Sequence, residues 1–284
     1  MLNATQWLTE VYPDHGSAFS MKIKQKLHET QSPYQKIEIY DTEYFGRVMM
    51  LDGLVMLTAR DNFIYHEMMS HAALFTHPQP QQVLIIGGGD CGTLREVLKH
   101  DSVTGALQVE IDEQVTRVAE QFFPELCASN QDPRAQFYFG DGIQWVKDCG
   151  PQRYDVIIID STDPVGPAAG LFQREFYQSC RQALRPDGIL VQQSESPLFH
   201  LPLIQSVHEE MQAAGFDNRL SLVFPQCSYP SGWWSATLAS SHTDLTQFRQ
   251  ADAQTKAWPS QYYTAAVHQA AMALPAFMQT ALNF

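Results

Sequence analysis

Apolar and polar residues alternate with period two in Tyr34-Gln35-Lys36-Ile37-Glu38-Ile39-Tyr40, and again in Gly46-Arg47-Val48-Met49-Met50-Leu51. Such alternation puts one face of a strand on a core and the other in solvent. Asp52-Gly53 lies between the second stretch and Leu54-Val55-Met56-Leu57. That dipeptide suits a two-residue hairpin, whose central positions take positive φ. Residues 1 to about 60 therefore predict short strands in a small antiparallel sheet. After Arg60 the period changes: Tyr65, Met68, Met69 and Ala72 follow helical spacing, with Asp61 or Asn62 as the cap. Strands and helices then alternate. Strands are predicted over 83–87, 106–112, 136–141, 154–160 and 188–193, and helices over 93–98, 113–122, 143–146, 172–183 and 201–214. Strands at 219–224 and 233–239 close the series. This order implies a mainly parallel α/β sheet covered on both faces. Ligands of such sheets bind beyond the carboxyl ends of the strands.

Composition narrows the partners. The 284 residues are 44% hydrophobic and 17% charged, an ordinary globular balance. Lys and Arg number 18 against 31 Asp and Glu, a net charge of -13. An acidic chain is repelled by nucleic acid and by anionic membranes, so neither is expected as a partner. A cationic substrate is compatible, although net charge also simply keeps a protein soluble. Five dispersed cysteines without a Cys-x-x-Cys pair suggest reduced thiols and a cytoplasmic location. The ten histidines show no metal-ligand spacing, so no metal is expected. The chain start has no basic segment followed by an apolar run, and no apolar stretch reaches about 18 residues.

Candidate chemistry sits at four strand ends. Gly87-Gly88-Gly89-Asp90-Cys91-Gly92 follows a buried strand and opens a helix, a turn that lets backbone approach a ligand at the helix's positive end. Gly87, Gly89 and Gly92 also satisfy G-x-G-x-x-G, but the Asp90 carboxylate would repel a pyrophosphate and attract a sulfonium or ammonium. Glu110 ends the next strand, where a carboxylate can accept both ribose hydroxyls; Asp112 competes for that role. Gly140-Asp141-Gly142 closes the third, with Asp141 suited to an adenine amino group and Gly142 leaving room for the ring. The fourth ends in Asp160-Ser161-Thr162-Asp163-Pro164. Asp163-Pro164 is ordinary turn chemistry, but a carboxylate ending an apolar strand needs a partner. The segment from there to Leu171 carries two prolines and two glycines and reads as a lid or an exposed connection.

Taken together, Leu51-Asp52-Gly53, Arg60-Asp61, Tyr65-His66-Glu67-Met68, Gly87-Gly88-Gly89-Asp90, Glu110-Ile111-Asp112, Asp141-Gly142 and Asp160-Ser161-Thr162-Asp163-Pro164 resemble the polyamine aminopropyltransferases, spermidine synthases above all. The likeness continues through Ser194-Glu195-Ser196-Pro197, Tyr229-Pro230-Ser231-Gly232, Tyr262-Tyr263 and His268-Gln269-Ala270-Ala271. The resemblance implies a β domain over 1–61 and a Rossmann-like, methyltransferase-type domain over 62–284, in a homodimer. It implies transfer of an aminopropyl group from decarboxylated S-adenosylmethionine, as co-substrate and with no permanent cofactor, to putrescine. By the same resemblance Gln35, Glu110, Asp141 and Gly142 hold the nucleoside, Pro167 closes on it, and Asp90 receives the donor's ammonium. Asp160 becomes the proton acceptor, and Tyr65, His66, Asp163 and Tyr229 line the acceptor channel. Read without the resemblance, Gln35 is an exposed strand residue and Tyr65 helix packing. Met56, Ala59, Cys91 and Thr264-Ala265 depart from the family pattern, the first two on the pocket side of the β domain. Cadaverine, agmatine and spermidine are the alternative acceptors. Rival readings are an S-adenosylmethionine-dependent methyltransferase, a dinucleotide-dependent oxidoreductase and an inactive polyamine sensor.

Overall fold

The computed structural model describes residues 3, 5–164 and 166–282, with the side chain of Pro167 also left out. An N-terminal antiparallel sheet runs in chain order through β1 (Trp7–Tyr12), β2 (Ser17–Gln31), β3 (Lys36–Thr42), β4 (Gly46–Leu51) and β5 (Leu54–Thr58). Asp52 and Gly53 turn the last hairpin at φ 49° and 86°. The Asp52 carboxylate also accepts the Lys36 N–H at 2.8 Å. The expectation of uniformly short strands is corrected by β2. It pairs with β1 along its first part and with β3 along its second, and two register shifts bend it between partners. Most of β2 is exposed or half-buried, so it lacks the clean alternation that marks a one-sided strand.

The second sheet has the order β11-β12-β10-β9-β6-β7-β8. Its parallel strands are β6 (Gln82–Gly87), β7 (Gly105–Glu110), β8 (Ala135–Phe139), β9 (Tyr154–Asp160) and β10 (Leu184–Gln193). β11 (Asn218–Pro225) and β12 (Trp233–Ser240) complete it in antiparallel fashion. Nine helices accompany the strands among the described residues: α1 (Asn62–Thr76), α2 (Gly92–Val97), α3 (Glu113–Phe122), α4 (Gly142–Asp148), α5 (Arg174–Ala183), α6 (Leu201–Ala213), α7 (Gln250–Thr255), α8 (Ala265–Ala271) and α9 (Ala276–Leu282). The fold is thus the expected Rossmann-like sheet with a small antiparallel β unit. Val156 to Ile159 are fully buried, with helix-covered cores on the two faces of the sheet.

Three features aim this fold at one place. The chain leaves β6 toward β7 and β8, then returns on the other side through β9, so β6 and β9 flank the topological switch point. Gly87 and Asp160, the last residues of those strands, pair in register. Ile37, Ile39, Met49 and Leu57 of the first sheet pack on Val115, Val118 and Ala119 of α3, which holds that sheet over the carboxyl edge of the second.

Two motif acids serve as staples. Asp61 stands at the α1 cap position but does not cap with its side chain. Its carboxylate accepts the Thr58 hydroxyl at 2.6 Å and the Ser228 N–H at 3.0 Å. Glu67, buried in α1, accepts the backbone N–H groups of Gln261, Tyr262 and Tyr263 at 2.8, 2.9 and 2.7 Å.

Candidate active site

A cavity of about 360 Å³ opens at the switch point, between the carboxyl edge of the second sheet and β4–β5 of the first. Gly87 makes the close approach to β9. Its φ is 83°, and a Cβ built there would lie 2.2 Å from the Asp160 carbonyl oxygen. Gly88 N–H donates to that same oxygen at 2.7 Å. The glycine turn is therefore pressed directly onto the end of β9, and Gly87 and Gly89 line the cavity beside Asp90.

Asp90 accepts the Gly92 N–H at 2.7 Å through Oδ1, while Oδ2 lies 3.2 Å from His66 Nε2. Burial pushes this carboxyl up, but His66 and the Gly92 N–H together hold it below the ordinary range. His66 responds in kind: burial works against its charged form, and Asp90 more than reverses that, so its pKa is raised. His66 is 2% exposed and is not among the residues on the cavity wall. It stands behind Asp90.

Asp160 is gripped at both oxygens. Tyr65 Oη donates to Oδ1 at 2.7 Å and Thr93 Oγ1 to Oδ2 at 2.6 Å. Burial, followed by the charge of Asp90, raises its pKa. Tyr65 packs edge to face on Tyr229 with ring centroids 5.8 Å apart, and Tyr229 Oη donates to the Met56 carbonyl at 2.5 Å. Met56 lines the cavity; Ala59 lies exposed past the end of β5, away from the wall.

On the β7–β8 side, Glu110 ends its strand with Oε1 accepting the Asp112 N–H at 2.8 Å. Burial pushes Glu110 up to about 7. Asp112, the competing acid, is already occupied. Asp112 accepts from Ser32 Oγ at 2.6 Å, Gln35 Nε2 at 3.0 Å and the Gln114 N–H at 3.1 Å, and only Glu110 lines the cavity. Gln35 is a half-buried turn residue just before β3 rather than an exposed strand position, anchored by that Asp112 bond. Asp141 caps α4, its Oδ1 accepting the Ile143 and Gln144 N–H groups at 2.8 and 3.2 Å, and Gly142 follows on the wall. Pro167 belongs to the 3₁₀ segment Gly166–Phe172, but its side chain lies outside the described residues.

On the β9–β10 side Asp163, an expected acceptor residue, sits in a cluster with Glu10 and Glu195, to which sequence reasoning gave no site role. Asp163 is driven up to about 8 by burial and by the neighbouring Glu195. Glu10 of β1 is driven to about 7 by burial, although it accepts the Val55 N–H at 3.0 Å. Glu195, at φ 68° and 2% exposed, lies 2.8 Å from His200 Nδ1. Nothing local in the sequence marked Glu10, since it reaches the site from a strand in the other sheet. Glu195 carried a local signal, the Ser-Glu-Ser-Pro run after β10.

The electrostatic sum is one-sided. Glu10, Asp52, Asp90, Glu110, Asp141, Asp160 and Asp163 line the cavity, and no Lys, Arg or His is among its described lining residues. Buried carboxyls without cations protonate rather than stay charged, which is what raises Glu10, Glu110 and Asp163. Such a chamber suits a ligand that brings its own positive charges. Among the described residues no group of His, Cys, Asp and Glu is arranged to hold a metal ion.

Comparison with known proteins places this geometry among others. A family model described as "Spermine/spermidine synthase domain" matches residues 62–250, and one described as "Spermidine synthase tetramerisation domain" matches residues 6–59. The polyamine aminopropyltransferase of Methylococcus capsulatus is 60% identical over 283 residues, covering 100% of this chain and 99% of that protein. That of Xylella fastidiosa is 55% identical over 284 residues, covering all of both. A crystal structure of spermidine synthase in complex with the transition state analogue AdoDATO superposes with a TM-score of 0.95 at 37% identity, over 99% of this chain and 96% of that one. The spermidine synthase of Thermotoga maritima gives 0.92 at 38% identity, over 98% and 94%.

Proposed function

The chain belongs to the spermine/spermidine synthase family and is a polyamine aminopropyltransferase, and on that premise we propose that it moves the aminopropyl group of decarboxylated S-adenosylmethionine to putrescine, giving spermidine and methylthioadenosine. One observation carries the substrate reading: a chamber with seven carboxyl residues on its wall and no cationic one among the described residues. Donor and acceptor both bring positive charge, the donor as sulfonium and ammonium, the acceptor as a diammonium.

The sheet order supports a division of labour. Glu110, Gln35, Asp141 and Gly142, on the β7–β8 side, take the nucleoside, with Pro167 closing over it. Asp90 takes the donor's ammonium, and His66 supports it from behind. Asp160, at the centre, faces the reacting nitrogen together with Tyr65 and Tyr229. Asp163 takes the far ammonium, with Glu10 and Glu195 beside it. In the reaction the acceptor nitrogen's lone pair attacks the methylene next to sulfur. The N–C bond forms, the C–S bond breaks with its pair going to sulfur, and the nitrogen's surplus proton passes to Asp160.

The leaving thioether needs no help, so the difficulty lies in the nucleophile. An alkylammonium with pKa ~10 costs roughly 4 kcal/mol to deprotonate at pH 7. Positive charge moves from sulfur to nitrogen as the bond forms. A carboxylate nearer nitrogen therefore stabilises the transition state more than the ground state. The raised pKa of Asp160 makes it a better base than a surface aspartate.

Incubation with decarboxylated S-adenosylmethionine and an amine panel tests the proposal, with methylthioadenosine and product amines read by mass spectrometry. Spermidine is expected to form fastest from putrescine. Faster product from cadaverine, agmatine or spermidine overturns the acceptor assignment; no methylthioadenosine with any amine overturns the reaction. A second expectation concerns the far ammonium. Asp163→Asn should raise the putrescine KM by roughly 10- to 100-fold, the value of a charge-assisted hydrogen bond, with kcat changed far less. Butylamine, which lacks the second nitrogen, should be used equally by both proteins; an equal loss with butylamine would remove Asp163 from that role. The match of residues 6–59 to a tetramerisation domain supports an oligomer, with the homodimer as its simplest form. Cytoplasmic location is part of the proposal. Its support is that the five cysteines are free, and that no helix among the described residues is long and apolar enough to cross a membrane.

A further inference from the structure

Consecutive residues at the start of α2 hold two acidic groups of the site. Gly92 donates its N–H to Asp90 Oδ1 at 2.7 Å, and Thr93 donates its hydroxyl to Asp160 Oδ2 at 2.6 Å. Thr93 is fully buried and is not on the cavity wall, so it meets Asp160 from the side away from any ligand. We propose that Thr93 is a positioning residue for the proton acceptor, fixing Asp160 Oδ2 from behind so that the carboxylate stays ionised and faces the acceptor nitrogen. This rests on the role given to Asp160 above.

The physical case begins with what a carboxylate needs. Its two oxygens offer about four acceptor sites. Tyr65 takes one on Oδ1 and Thr93 one on Oδ2, which fixes the plane of the group and leaves the remaining lone pairs for a proton. Each hydroxyl favours the charged form of Asp160, against burial and the charge of Asp90, which oppose it. The donors are neutral, and that matters. A Lys or Arg here would hold the carboxylate ionised but make it a poor base, and would repel the acceptor ammonium. A hydroxyl orients the base and leaves it basic.

Threonine also suits the place mechanically. Its β-branch narrows the χ1 choices of the hydroxyl, which meets Asp160 Oδ2 at 2.6 Å. The glycine turn that precedes α2 is pressed on the same aspartate, with Gly88 N–H 2.7 Å from the Asp160 carbonyl. The turn that meets the donor and the base that serves the acceptor are thus joined through one short segment. The titratable groups facing Asp160 are Asp90 on the turn, Tyr65 and His66 on α1, Glu110 at the end of β7, and Tyr229 ahead of β12. All of them remain in place when Thr93 alone is changed.

The test compares Thr93→Val, which keeps shape and loses the donor, with Thr93→Ser, which keeps the donor, each followed from pH 5.5 to 9 under saturating substrates. For Thr93→Val, kcat at neutral pH should fall about tenfold, and the acid limb of its pH profile should move up by about one pH unit, the shift expected from losing one hydrogen bond to a charged group. The donor KM should stay within about twofold, and Thr93→Ser should restore the wild-type profile. If the valine variant folds poorly, Thr93→Ala set against Thr93→Ser isolates the hydroxyl alone. An acid limb that stays at the wild-type pH in both donor-less variants overturns the proposal, as does a kcat loss that serine does not restore. A wild-type enzyme without aminopropyl transfer would fail the functional reading, and an Asp160→Asn variant with normal turnover would fail the base assignment. Neither result resembles a failure confined to Thr93.

Discussion

Asp160→Asn is expected to lower methylthioadenosine formation by about 10³-fold, within the usual range for losing a positioned general base, while changing donor affinity by less than about fivefold. The substitution is nearly isosteric. Asparagine still offers an oxygen to one of the two hydroxyls, and the other can rotate to accept from its amide, so the bonds from Tyr65 and Thr93 are replaced rather than abandoned. What disappears is the ability to take a proton from the attacking nitrogen and to attract charge as it moves there. Donor affinity is spared because the donor's ammonium is assigned to Asp90 and its ribose to Glu110, both untouched. The pH profile offers an independent check. Burial raises the pKa of Asp160, so its ionised fraction, and with it the wild-type kcat, should rise with pH through that value. In Asp160→Asn the residual rate should lack that limb and follow only amine deprotonation. Turnover within about tenfold of wild type would remove Asp160 from the role.

The same contacts show what the sequence could and could not reveal. The period-two to helical switch after Arg60, the Asp52-Gly53 hairpin and the four strand-end clusters were all legible, because each is a local pattern matched to local backbone geometry. The partners of the acids were not. Asp160 meets Tyr65 and Thr93 across 95 and 67 residues of chain, and Glu67 meets Tyr263 across 196. Such pairings are decided by which helix packs on which strand, and no spacing rule carries them. Hence Asp61 and Glu67, motif acids within a family resemblance, stand in the fold as anchors for distant backbone, while Glu10 carried no motif and lies on the cavity wall. Glu110 and Asp112 were also inseparable by pattern, since both stand where β7 meets α3. Packing separates them, because the Ser32–Gln35 turn of the first sheet occupies one and leaves the other facing the cavity.

Gly87→Ala should be far more damaging than Gly53→Ala, and its cause can be isolated. At φ 83° an alanine costs about 1–2 kcal/mol from backbone sterics alone. Gly53, at φ 86° with nothing within 4 Å of a new Cβ, measures that cost by itself. Gly53→Ala should lower Tm by only a few degrees, at about 2–4 °C per kcal/mol for a chain of this size, and leave kcat near normal. At Gly87 the new Cβ would lie 2.2 Å from the Asp160 carbonyl oxygen, backbone against backbone, with no flexible side chain to yield. Relief requires β6 and β9 to part where the glycine turn and Asp160 are joined. A stability loss above about 3 kcal/mol is expected, as for overpacking a rigid core, or about 6–12 °C in Tm. Because the displacement falls on Asp160 and on the turn that carries Asp90, the surviving folded enzyme should also lose both kcat and donor affinity, unlike Asp160→Asn. Thermal melts and donor titration of the two alanine variants decide it. If Gly87→Ala melts no lower than Gly53→Ala and binds donor normally, the close approach of the turn to β9 is not what shapes the site.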